Sequence, residues 1–409
     1  MAEWPLVRFE ELAAKEKSSF SKPYGSAYTK EDYVSTGVPL VRGVNLGAGR
    51  FHDDDFVFIT PEKADSLPGA NLTPGDLVIT HRGTIGQVSM IPRSPKHERY
   101  VLSTSQVKAR LDASRALPEF YYYWLLSPAG QREILQHVST VGVPGLVQPV
   151  ATVKSFKVPH PPLGEQQAVA TVLSTLDDKI AVNERIAATS RELGLALFAQ
   201  ALLDEDPLET AVESIVSTLT RGVTPKYSES PDDLIVLNQK CVRDGRVNLK
   251  PSRLTLREKV KVPKLLQAND VLVNSTGVGT LGRVARWTCD IDATVDSHIA
   301  IVRFDPTKVD PVCAGFAMLR AQTEIEALGE GSTGQTELSR AQLGALEIAL
   351  PNPDRQHELR EKLDSLEEQA DQAMAESAVL AALRDTLLPQ LMSGRLRIRD
   401  AEKIVEDVI

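Results

Sequence analysis

The chain lacks several features that would place it in a well-defined class of protein. Its 409 residues include only three cysteines, Cys241, Cys289 and Cys313, whose odd number and wide spacing fit neither a disulfide framework nor a zinc site. No run of about 18 uninterrupted apolar residues occurs, so we expect no membrane-spanning helix. The first residues, Met-Ala-Glu-Trp-Pro, lack the basic and apolar segments of a secretory signal. These absences predict a cytoplasmic protein with reduced thiols.

Motifs of common catalytic sites are also missing. The sequence has no Walker A motif, no Gly-x-Ser-x-Gly elbow and no Asn/Asp-Pro-Pro-Tyr/Phe tetrapeptide, and its seven histidines show no metal-ligand spacing. Gly277-x-Gly279-x-x-Gly282 matches a dinucleotide fingerprint, but the β-branched and aromatic residues after it favour a strand over a helix. A tight turn that requires positive φ explains these glycines better. We therefore expect neither a catalytic centre nor a bound metal in this chain.

An excess of basic residues is absent as well. The formal net charge is -9, which taken alone argues against a nucleic-acid-binding protein. The acidity lies mainly in residues 163–205 and 351–409, with net charges of -4 and -5. Residues 1–162 carry +2 and residues 206–350 carry -2. The two larger segments are therefore neutral together, and the total charge does not describe them.

The sequence contains two copies of one plan. The stretch 72–88 matches 266–284, with Asp76 opposite Asp270, and the stretch 158–166 matches 348–356 at a constant offset of 190. So long a period indicates two homologous domains, each followed by its own tail segment, rather than a solenoid. The predicted fold class is α+β, with two pseudosymmetric mixed α/β domains separated by a long antiparallel two-helix coiled coil. The predicted segments are 1–162, 163–205, 206–350, 351–398 and a tail at 399–409.

The two tail segments have the apolar stripe of long helices. Apolar residues recur at steps of three and four, and Asp354 is the predicted N-cap of the second helix, which should end near Pro389 and Gly394. Such long helices need a partner, and pseudosymmetry makes that partner the other helix, antiparallel to the first. The apolar stripes are then packed core, and the function of the helix pair is the spacing that it sets between the two domains. The spacer positions are Leu173, Leu176, Ile180, Asn183, Leu363, Leu366, Leu380 and Leu383.

Within each domain, a polar loop follows a buried strand. Strands are predicted at 77–79, 106–111, 271–273 and 299–304, and the aromatic segment 118–126 is predicted to be a core helix rather than a base-stacking platform. Arg, Asn and Gln side chains can bind base edges, and Lys and Arg can neutralise phosphates. An ordinary solvated loop is the alternative at each position. The candidate DNA-binding residues are Thr80, His81, Arg82, Thr84, Gln106, Lys108, Arg110, Arg221, Lys226, Asn274, Ser275, Thr276, Arg283 and His298.

The chain resembles the specificity subunit of type I restriction–modification systems. The likeness rests on the strand and loop 75–86 with its repeat, on the segment from Pro161 to Asn183, and on the C-terminal segment 387–394. It implies a non-catalytic subunit that reads a bipartite duplex target, one domain for each half-site, with the helix pair setting the spacer between them. It also implies two methyltransferase subunits that bring S-adenosylmethionine and methylate a flipped adenine.

Further subunits and two alternative functions complete the expectations from the sequence. Where a nuclease is present, the resemblance implies two restriction subunits that use ATP and Mg. No cofactor is expected on this chain, which should bind double-stranded DNA and no membrane. The alternatives are an enzyme that binds a nucleotide at the glycine loop and a coiled-coil adaptor that never contacts DNA. Nucleotide binding by the isolated chain would favour the first, and absence of a sequence-dependent footprint would favour the second.

Overall fold

The computed structural model describes residues 4–47, 50–139, 144–204, 206–329 and 337–408. The strands are β1 (Leu6–Arg8), β2 (Phe20–Ser21), β3 (Tyr33–Val34), β4 (Val38–Val41), β5 (Val57–Ile59), β6 (Asn71–Leu72), β7 (Leu77–Thr80), β8 (Val88–Met90), β9 (Tyr100–Leu102), β10 (Gln106–Ala109), β11 (Val138–Ser139), β12 (Gly145–Leu146), β13 (Lys157–Pro159), β14 (Leu208–Ala211), β15 (Val216–Arg221), β16 (Tyr227–Ser228), β17 (Leu234–Leu237), β18 (Val242–Arg243), β19 (Arg246–Val247), β20 (Arg253–Thr255), β21 (Val271–Asn274), β22 (Val284–Arg286), β23 (Ala293–Val295), β24 (Ile299–Phe304) and β25 (Glu347–Leu350).

Helices of very different length connect these strands. The α-helices are α1 (Pro61–Asp65), α2 (Pro118–Leu126), α3 (Pro128–Leu135), α4 (Pro149–Ser155), α5 (Leu163–Asp204), α6 (Val212–Ile215), α7 (Pro311–Arg320), α8 (Gln322–Ala327), α9 (Arg340–Ala345), α10 (Pro353–Met392) and α11 (Ile398–Glu406). Short 3-10 turns lie at Phe9–Leu12, Lys30–Asp32, Gly43–Leu46, Pro68–Ala70, Gln239–Cys241, Arg257–Lys259 and Val262–Lys264. The chain forms two compact units: unit 1 combines residues 1–182 with 376–409, and unit 2 comprises residues 183–375.

Unit 1 is built on two sheets. One has the strand order β2-β10-β7-β8, and the other has the order β3-β5-β4-β9-β6 with β4 and β9 parallel. Along β7, Leu77 and Ile79 belong to a core that includes the aromatic residues of α2, whereas Val78 belongs to a second core with Leu40 and Tyr100. Alternate side chains of a strand point to opposite faces, so β7 is buried on both sides. The predicted core role of the α2 aromatics is confirmed.

Unit 2 repeats this topology except for β6, which has no counterpart strand among the described residues of unit 2. Its first sheet has the order β15-β24-β21-β22, and its second has the order β16-β20-β17-β23 with β17 and β23 parallel. The antiparallel pair β14–β25 corresponds to β1–β13 in unit 1. Equivalent strands therefore pair in the same order in both units, as the repeated sequence predicted.

The buried polar contacts are duplicated too. In unit 1 the Arg110 guanidinium donates two hydrogen bonds of 2.7 Å to Asp76, and in unit 2 Arg303 does the same to Asp270. This geometry is the bidentate arrangement that makes guanidinium–carboxylate pairs strong. A duplicated fold with duplicated buried ion pairs supports descent of both units from one plan.

A second duplicated contact holds each domain to the start of its tail helix. Gln166 accepts a hydrogen bond from the Leu117 amide (2.7 Å) and donates to the Pro161 carbonyl (2.8 Å). Gln356 accepts from the Asp310 amide (2.9 Å) and donates to the Pro351 carbonyl (2.7 Å). The two glutamines lie 190 positions apart, as the repeat requires.

The two long helices pair antiparallel within each unit. In unit 1, Leu173, Leu176 and Ile180 share a core with Leu380, and Leu383 packs against it half-buried. Asp177 pairs with Arg384, and Lys179 with Glu376. In unit 2, Ser190 donates to Gln369 (3.0 Å) and Arg355 lies 3.4 Å from Asp204. The residue later in α5 thus contacts the residue earlier in α10, so the two helices run antiparallel. Among the remaining spacer positions Leu363 and Asn183 are buried and Leu366 is half-buried.

The predicted start of α10 differs from the structure, whereas its predicted end near Pro389 and Gly394 is confirmed. The N-cap of α10 is Asn352, whose Oδ1 accepts the Arg355 amide at 2.9 Å, and Asp354 lies inside the first turn. Asn is as good an N-cap as Asp, and the helix starts two residues earlier than predicted because Pro353 tolerates the first helical position. The helix ends at Met392, with Pro389 in its last turn and Gly394 following it at φ +64°.

Helix α5 is long and apolar enough to meet a length-and-composition criterion for a membrane span. Its most apolar window of 18 residues has a mean hydropathy of 1.2. In unit 1, however, its apolar side chains Leu173, Leu176 and Ile180 are buried among protein side chains. A buried helix of a folded protein meets the same criterion, and these contacts cover part of the apolar surface of α5.

Candidate nucleic-acid interface

In unit 1, the turn between β7 and β8 carries the polar residues that the sequence singled out. The His81 amide donates to the Ser105 carbonyl (2.9 Å), and the Leu146 amide donates to the His81 carbonyl (3.0 Å), so the start of the turn is held on two sides. Gly83 and Gly86 have φ values of +90° and +94°, which favour glycine. Arg82 and Thr84 are exposed on this turn.

Unit 2 builds the equivalent turn between β21 and β22. The Ser275 amide donates to the His298 carbonyl and the Leu338 amide to the Ser275 carbonyl, both at 2.8 Å. Gly277, Gly279 and Gly282 all have positive φ. Strand β22, and not a helix, follows them. The glycine pattern therefore belongs to a tight turn between strands, as predicted, and a dinucleotide site would need a helix there.

The candidate residues divide into exposed and interior groups. At the surface are Arg82, Thr84, Lys226 and His298, with Arg110, Arg221, Thr276 and Arg283 half-buried. Buried are Thr80, His81, Gln106, Lys108, Asn274 and Ser275. Arg82 and Thr84 lie on the turn of unit 1. In unit 2, His298 lies beside the turn on the segment between β23 and β24, and Lys226 lies on a separate segment before β16.

Lys108 and Arg110 have protein partners, which differs from the prediction that they contact phosphates. Lys108 is 1% exposed, its Nζ donates to the Asn71 carbonyl at 2.9 Å, and burial lowers its pKa. Arg110 is committed to Asp76 and lies 2.9 Å from Glu16. Alternate residues of a strand share a face, so Lys108 and Arg110 lie on the same side of the first sheet, and the second sheet of unit 1 covers that side.

Several interior polar atoms beneath the turns lack a hydrogen-bond partner. These atoms are Thr80 Oγ1 and Gln106 Oε1 in unit 1 and Asn274 Oδ1 in unit 2. Thr80 pairs with Gln106 across the sheet as Asn274 pairs with Ile299, so Thr80 and Asn274 are equivalent. A buried acceptor without a donor costs about 1–3 kcal/mol, and such groups in native proteins call for a functional explanation.

The electrostatic environment of the unit 1 turn is positive. Burial is the largest cause that lowers the pKa of His81, and the charges of Lys22 and Arg82 lower it further against a hydrogen bond with Thr104. The positive charges of Lys22 and Arg82 therefore both act on the His81 side chain. Positive charge beside exposed polar side chains suits an anionic, hydrogen-bonding ligand.

In unit 2, cations gather beside the turn through contacts that the sequence did not reveal. Arg221 donates to the Leu338 carbonyl (2.9 Å) and pairs with Glu337 (2.5 Å). Lys264 and Arg340 line a groove with Arg221. Sequence reasoning missed Lys264 and Arg340, although the basic run from Arg257 to Lys264 was a signal for the first.

The turn of unit 2 is also held by side chains. Thr276 Oγ1 and His298 Nδ1 lie 2.9 Å apart, and Gln239 Nε2 donates to Thr276 Oγ1 at 2.8 Å. Arg283 Nη2 donates to the Gly279 carbonyl (2.8 Å). The polar groups of this turn therefore have a fixed arrangement before any ligand binds.

Neither a metal nor a reactive thiol is indicated in the part of the chain that the structure describes. No group of three or more His, Cys, Asp or Glu side chains is placed to hold an ion there. The three cysteines are free, and burial raises the pKa of each thiol. Buried thiols with raised pKa values are poor nucleophiles.

Comparison with known proteins decides the family. Residues 1–189 match the family model described as Type I restriction modification DNA specificity domain. Residues 1–189 therefore carry a type I restriction–modification DNA specificity domain, and the chain is similar to the specificity subunits of these systems. The resemblance noted in the sequence is thereby confirmed. As a specificity subunit it recognises a DNA target within the restriction–modification complex, and it is non-catalytic, with catalysis on the other subunits.

One curated relative and one solved structure match over most of the chain, and another curated relative matches over a third of it. The chain is 19% identical over 395 residues to the type I restriction enzyme MjaX specificity subunit of Methanocaldococcus jannaschii, covering 90% of both chains. It is 29% identical over 136 residues to the MjaIX specificity subunit of the same organism, covering 33% of this chain and 29% of the relative. The crystal structure of a type I S subunit from M. genitalium has a TM-score of 0.59 at 16% identity and covers 95% and 96% of the two chains. That likeness supports the fold.

Proposed function

We propose that this specificity subunit reads a bipartite duplex DNA target, with residues 1–162 on one half-site and residues 206–350 on the other. The observation that carries the proposal is the repeated turn. Both units build it from the same strand order and backbone hydrogen bonds, yet its exposed side chains differ. A shared frame with different polar side chains suits two readers of different base sequences.

Each turn contributes a distinct set of candidate base contacts. In unit 1 they are Arg82 and Thr84, and in unit 2 they are Thr276 and Arg283, with His298 beside the turn on the segment between β23 and β24. Arg can bind guanine O6 and N7 together, and a Thr hydroxyl can donate to or accept from a base edge. Thr80, Gln106, Asn274 and Ser275 lie beneath these side chains and would support them, and a small opening of the turn would bring their amide and hydroxyl groups to the ligand.

The long helices α5 and α10 would set the spacer between the half-sites. They pair with each other through packed leucines. Carboxylates at equivalent positions join each helix to a domain: Asp177 of α5 accepts a hydrogen bond from Tyr123 (2.8 Å), and Glu367 of α10 accepts one from Arg286. A carboxylate on the helix and a donor on the domain would fix each reader to the rod. A fixed connection transmits the helix length to the spacing of the half-sites.

The catalytic partners would supply the chemistry. Two methyltransferase subunits carrying S-adenosylmethionine, and two restriction subunits with ATP and Mg where the system has them, would assemble on this subunit in the cytoplasm. The acidic segments 163–205 and 351–409 suit protein contacts better than DNA contacts.

The test is reciprocal substitution in the assembled methyltransferase. Methylation-sensitive sequencing of host DNA, with and without the subunit, defines the target. Arg82→Ala is expected to relax one half-site only, and Thr276→Ala the other only, so each variant is the control for its counterpart. Uniform weakening over all sequences by both variants would assign these side chains to phosphates instead. If both variants instead lose recognition of the whole target sequence together, the assignment of one half-site to each domain is refuted.

A further inference from the structure

Unit 2 contains a basic groove beside its polar turn. The side chains of Arg221, Lys264 and Arg340 converge there, together with Glu337 and the hydroxyl-bearing Thr220 and Ser339. Three cations and one carboxylate give the groove a formal charge of +2. None of the side chains predicted to bind DNA explains this concentration of charge except Arg221.

Protein contacts hold two of the three cations in place. Lys264 Nζ donates to Thr220 Oγ1 and to the Arg221 carbonyl, and Arg221 donates to the Leu338 carbonyl. Among the described residues, no hydrogen-bond acceptor or carboxylate pairs with the exposed Arg340 guanidinium. Its charge lies close enough to Lys264 to lower that lysine's pKa, after burial as the larger cause. Repulsion between pre-positioned cations is relieved when an anion binds between them.

The groove is continuous with the turn. Glu337 forms a β-bridge with Thr276, and the Leu338 amide donates to the Ser275 carbonyl. The segment that carries Glu337 and Ser339 is thus hydrogen-bonded to the turn on one side and lines the groove on the other. A duplex whose base edges meet Thr276 would carry its phosphates across the same neighbourhood.

We propose that this groove binds the DNA phosphate backbone at one half-site. The inference rests on the proposed function and deepens it by naming a phosphodiester site. Guanidinium groups bind phosphate oxygens through two parallel hydrogen bonds, and an ammonium group contributes a point charge. Arg221 supplies guanidinium protons beyond those given to Leu338 and Glu337, and Arg340 supplies a whole guanidinium group.

Unit 1 has a weaker counterpart of the groove. The strand register makes Lys22 the equivalent of Arg221, because Ser21 pairs with Lys108 as Thr220 pairs with Ile301. Ala70 stands at the position that corresponds to Lys264, 194 residues earlier as Asp76 precedes Asp270. Unit 2 therefore contributes more of the electrostatic attraction to DNA phosphates than unit 1 does.

The experiment measures the salt dependence of DNA binding by the assembled subunit–methyltransferase complex. The probes are a duplex with the target defined by methylation sequencing and a scrambled duplex of equal length. Loss of one phosphate contact reduces the slope of log affinity against log salt by about 0.9. For Arg340→Gln, the affinity lost between 50 and 200 mM salt should therefore be about 3.5-fold smaller than for the wild type, on both probes.

Two further variants sharpen the result. Glu337→Gln should steepen the slope, since it frees Arg221 for a phosphate. Lys308→Gln is the matched control: this exposed lysine follows β24 at the end opposite Ile299, and its slope should equal that of the wild type. Thermal unfolding of each variant checks that the fold is retained.

The outcomes separate the two proposals. A slope for Arg340→Gln equal to that of Lys308→Gln overturns the groove, and so does a changed methylation sequence, which would make Arg340 a base contact. If the wild-type complex binds the two duplexes equally, the proposed function fails, while the slope on the scrambled duplex still decides whether the groove binds phosphates.

Discussion

Replacing Gln166 by Leu should destabilise unit 1 strongly, although the two side chains are similar in size. Gln166 is 0% exposed. Its Oε1 accepts the Leu117 amide at 2.7 Å, and its Nε2 donates to the Pro161 carbonyl at 2.8 Å and to the Arg115 carbonyl at 3.2 Å. Leucine would fill the volume but would leave these backbone groups without a partner.

The magnitude follows from the two shorter contacts. Each buried backbone group left unsatisfied costs about 1–3 kcal/mol, so the loss of the Leu117 and Pro161 partners predicts a decrease of about 2–6 kcal/mol in the free energy of unfolding. Gln356 is equivalent, with the Asp310 amide and the Pro351 carbonyl as its partners. Gln356→Leu should therefore cause a similar loss in unit 2.

Urea denaturation followed by tryptophan fluorescence measures both losses. Trp4 and Trp124 report on unit 1, and Trp287 reports on unit 2. The matched control is Gln167→Leu, since the exposed Gln167 amide reaches only the Thr171 hydroxyl. A loss below about 1 kcal/mol for Gln166→Leu, or one equal to that of the control, would refute the reasoning about unsatisfied backbone groups.

Three other predictions concern the ion pairs, the spacer and pH. Arg303→Met leaves the fully buried Asp270 carboxylate unpaired and should cost about 3–5 kcal/mol by urea denaturation; a cost under 1 kcal/mol would mean that the pair is dispensable. Four residues inserted after Ala187 lengthen α5 by about 6 Å, so the methylated target should gain spacer length with unchanged half-sites, and an unchanged spacer would contradict the ruler. The pKa of His81 in the folded chain lies below its ordinary 6.5, so on acidification the unfolded chain takes up the proton first and stability falls below about pH 6.5. His81→Gln should reduce that acid-side loss in thermal unfolding from pH 7 to 5, and an identical pH profile would count against a buried neutral imidazole.

The duplicated fold was predictable from the sequence because equivalent residues recur in the two copies at a fixed spacing. Asp76 and Asp270 stand in equivalent loops, and Gln166 and Gln356 stand at equivalent helix starts. Each has the same backbone and side-chain partners in its own unit. A buried polar residue with a hydrogen-bond partner tends to be the same in both copies, because a substitution there lowers the stability of either unit.

The burial of Lys108 was not predictable from its strand. Period-two alternation assigns a side chain to a face, but whether that face meets water depends on a second sheet formed by distant segments. The same limit applies to Arg340 in unit 2, whose groove forms only when β15, the 3-10 turn before Leu265 and the start of α9 come together. The sequence pattern of a strand therefore predicts which side chains share a face, whereas tertiary contacts determine whether that face is buried.

The glycine turns separate the shape of the loop from the identity of its outermost side chains. Gly83 and Gly86 in one copy, and Gly279 and Gly282 in the other, fix the path of the backbone, while Thr84 and Val278 project into solvent. Substitutions at such exposed positions usually change stability by no more than about 0.5 kcal/mol. The scaffold therefore tolerates a wide range of residues at these tips, and new preferences can be acquired by single codon changes without a stability penalty to be compensated elsewhere.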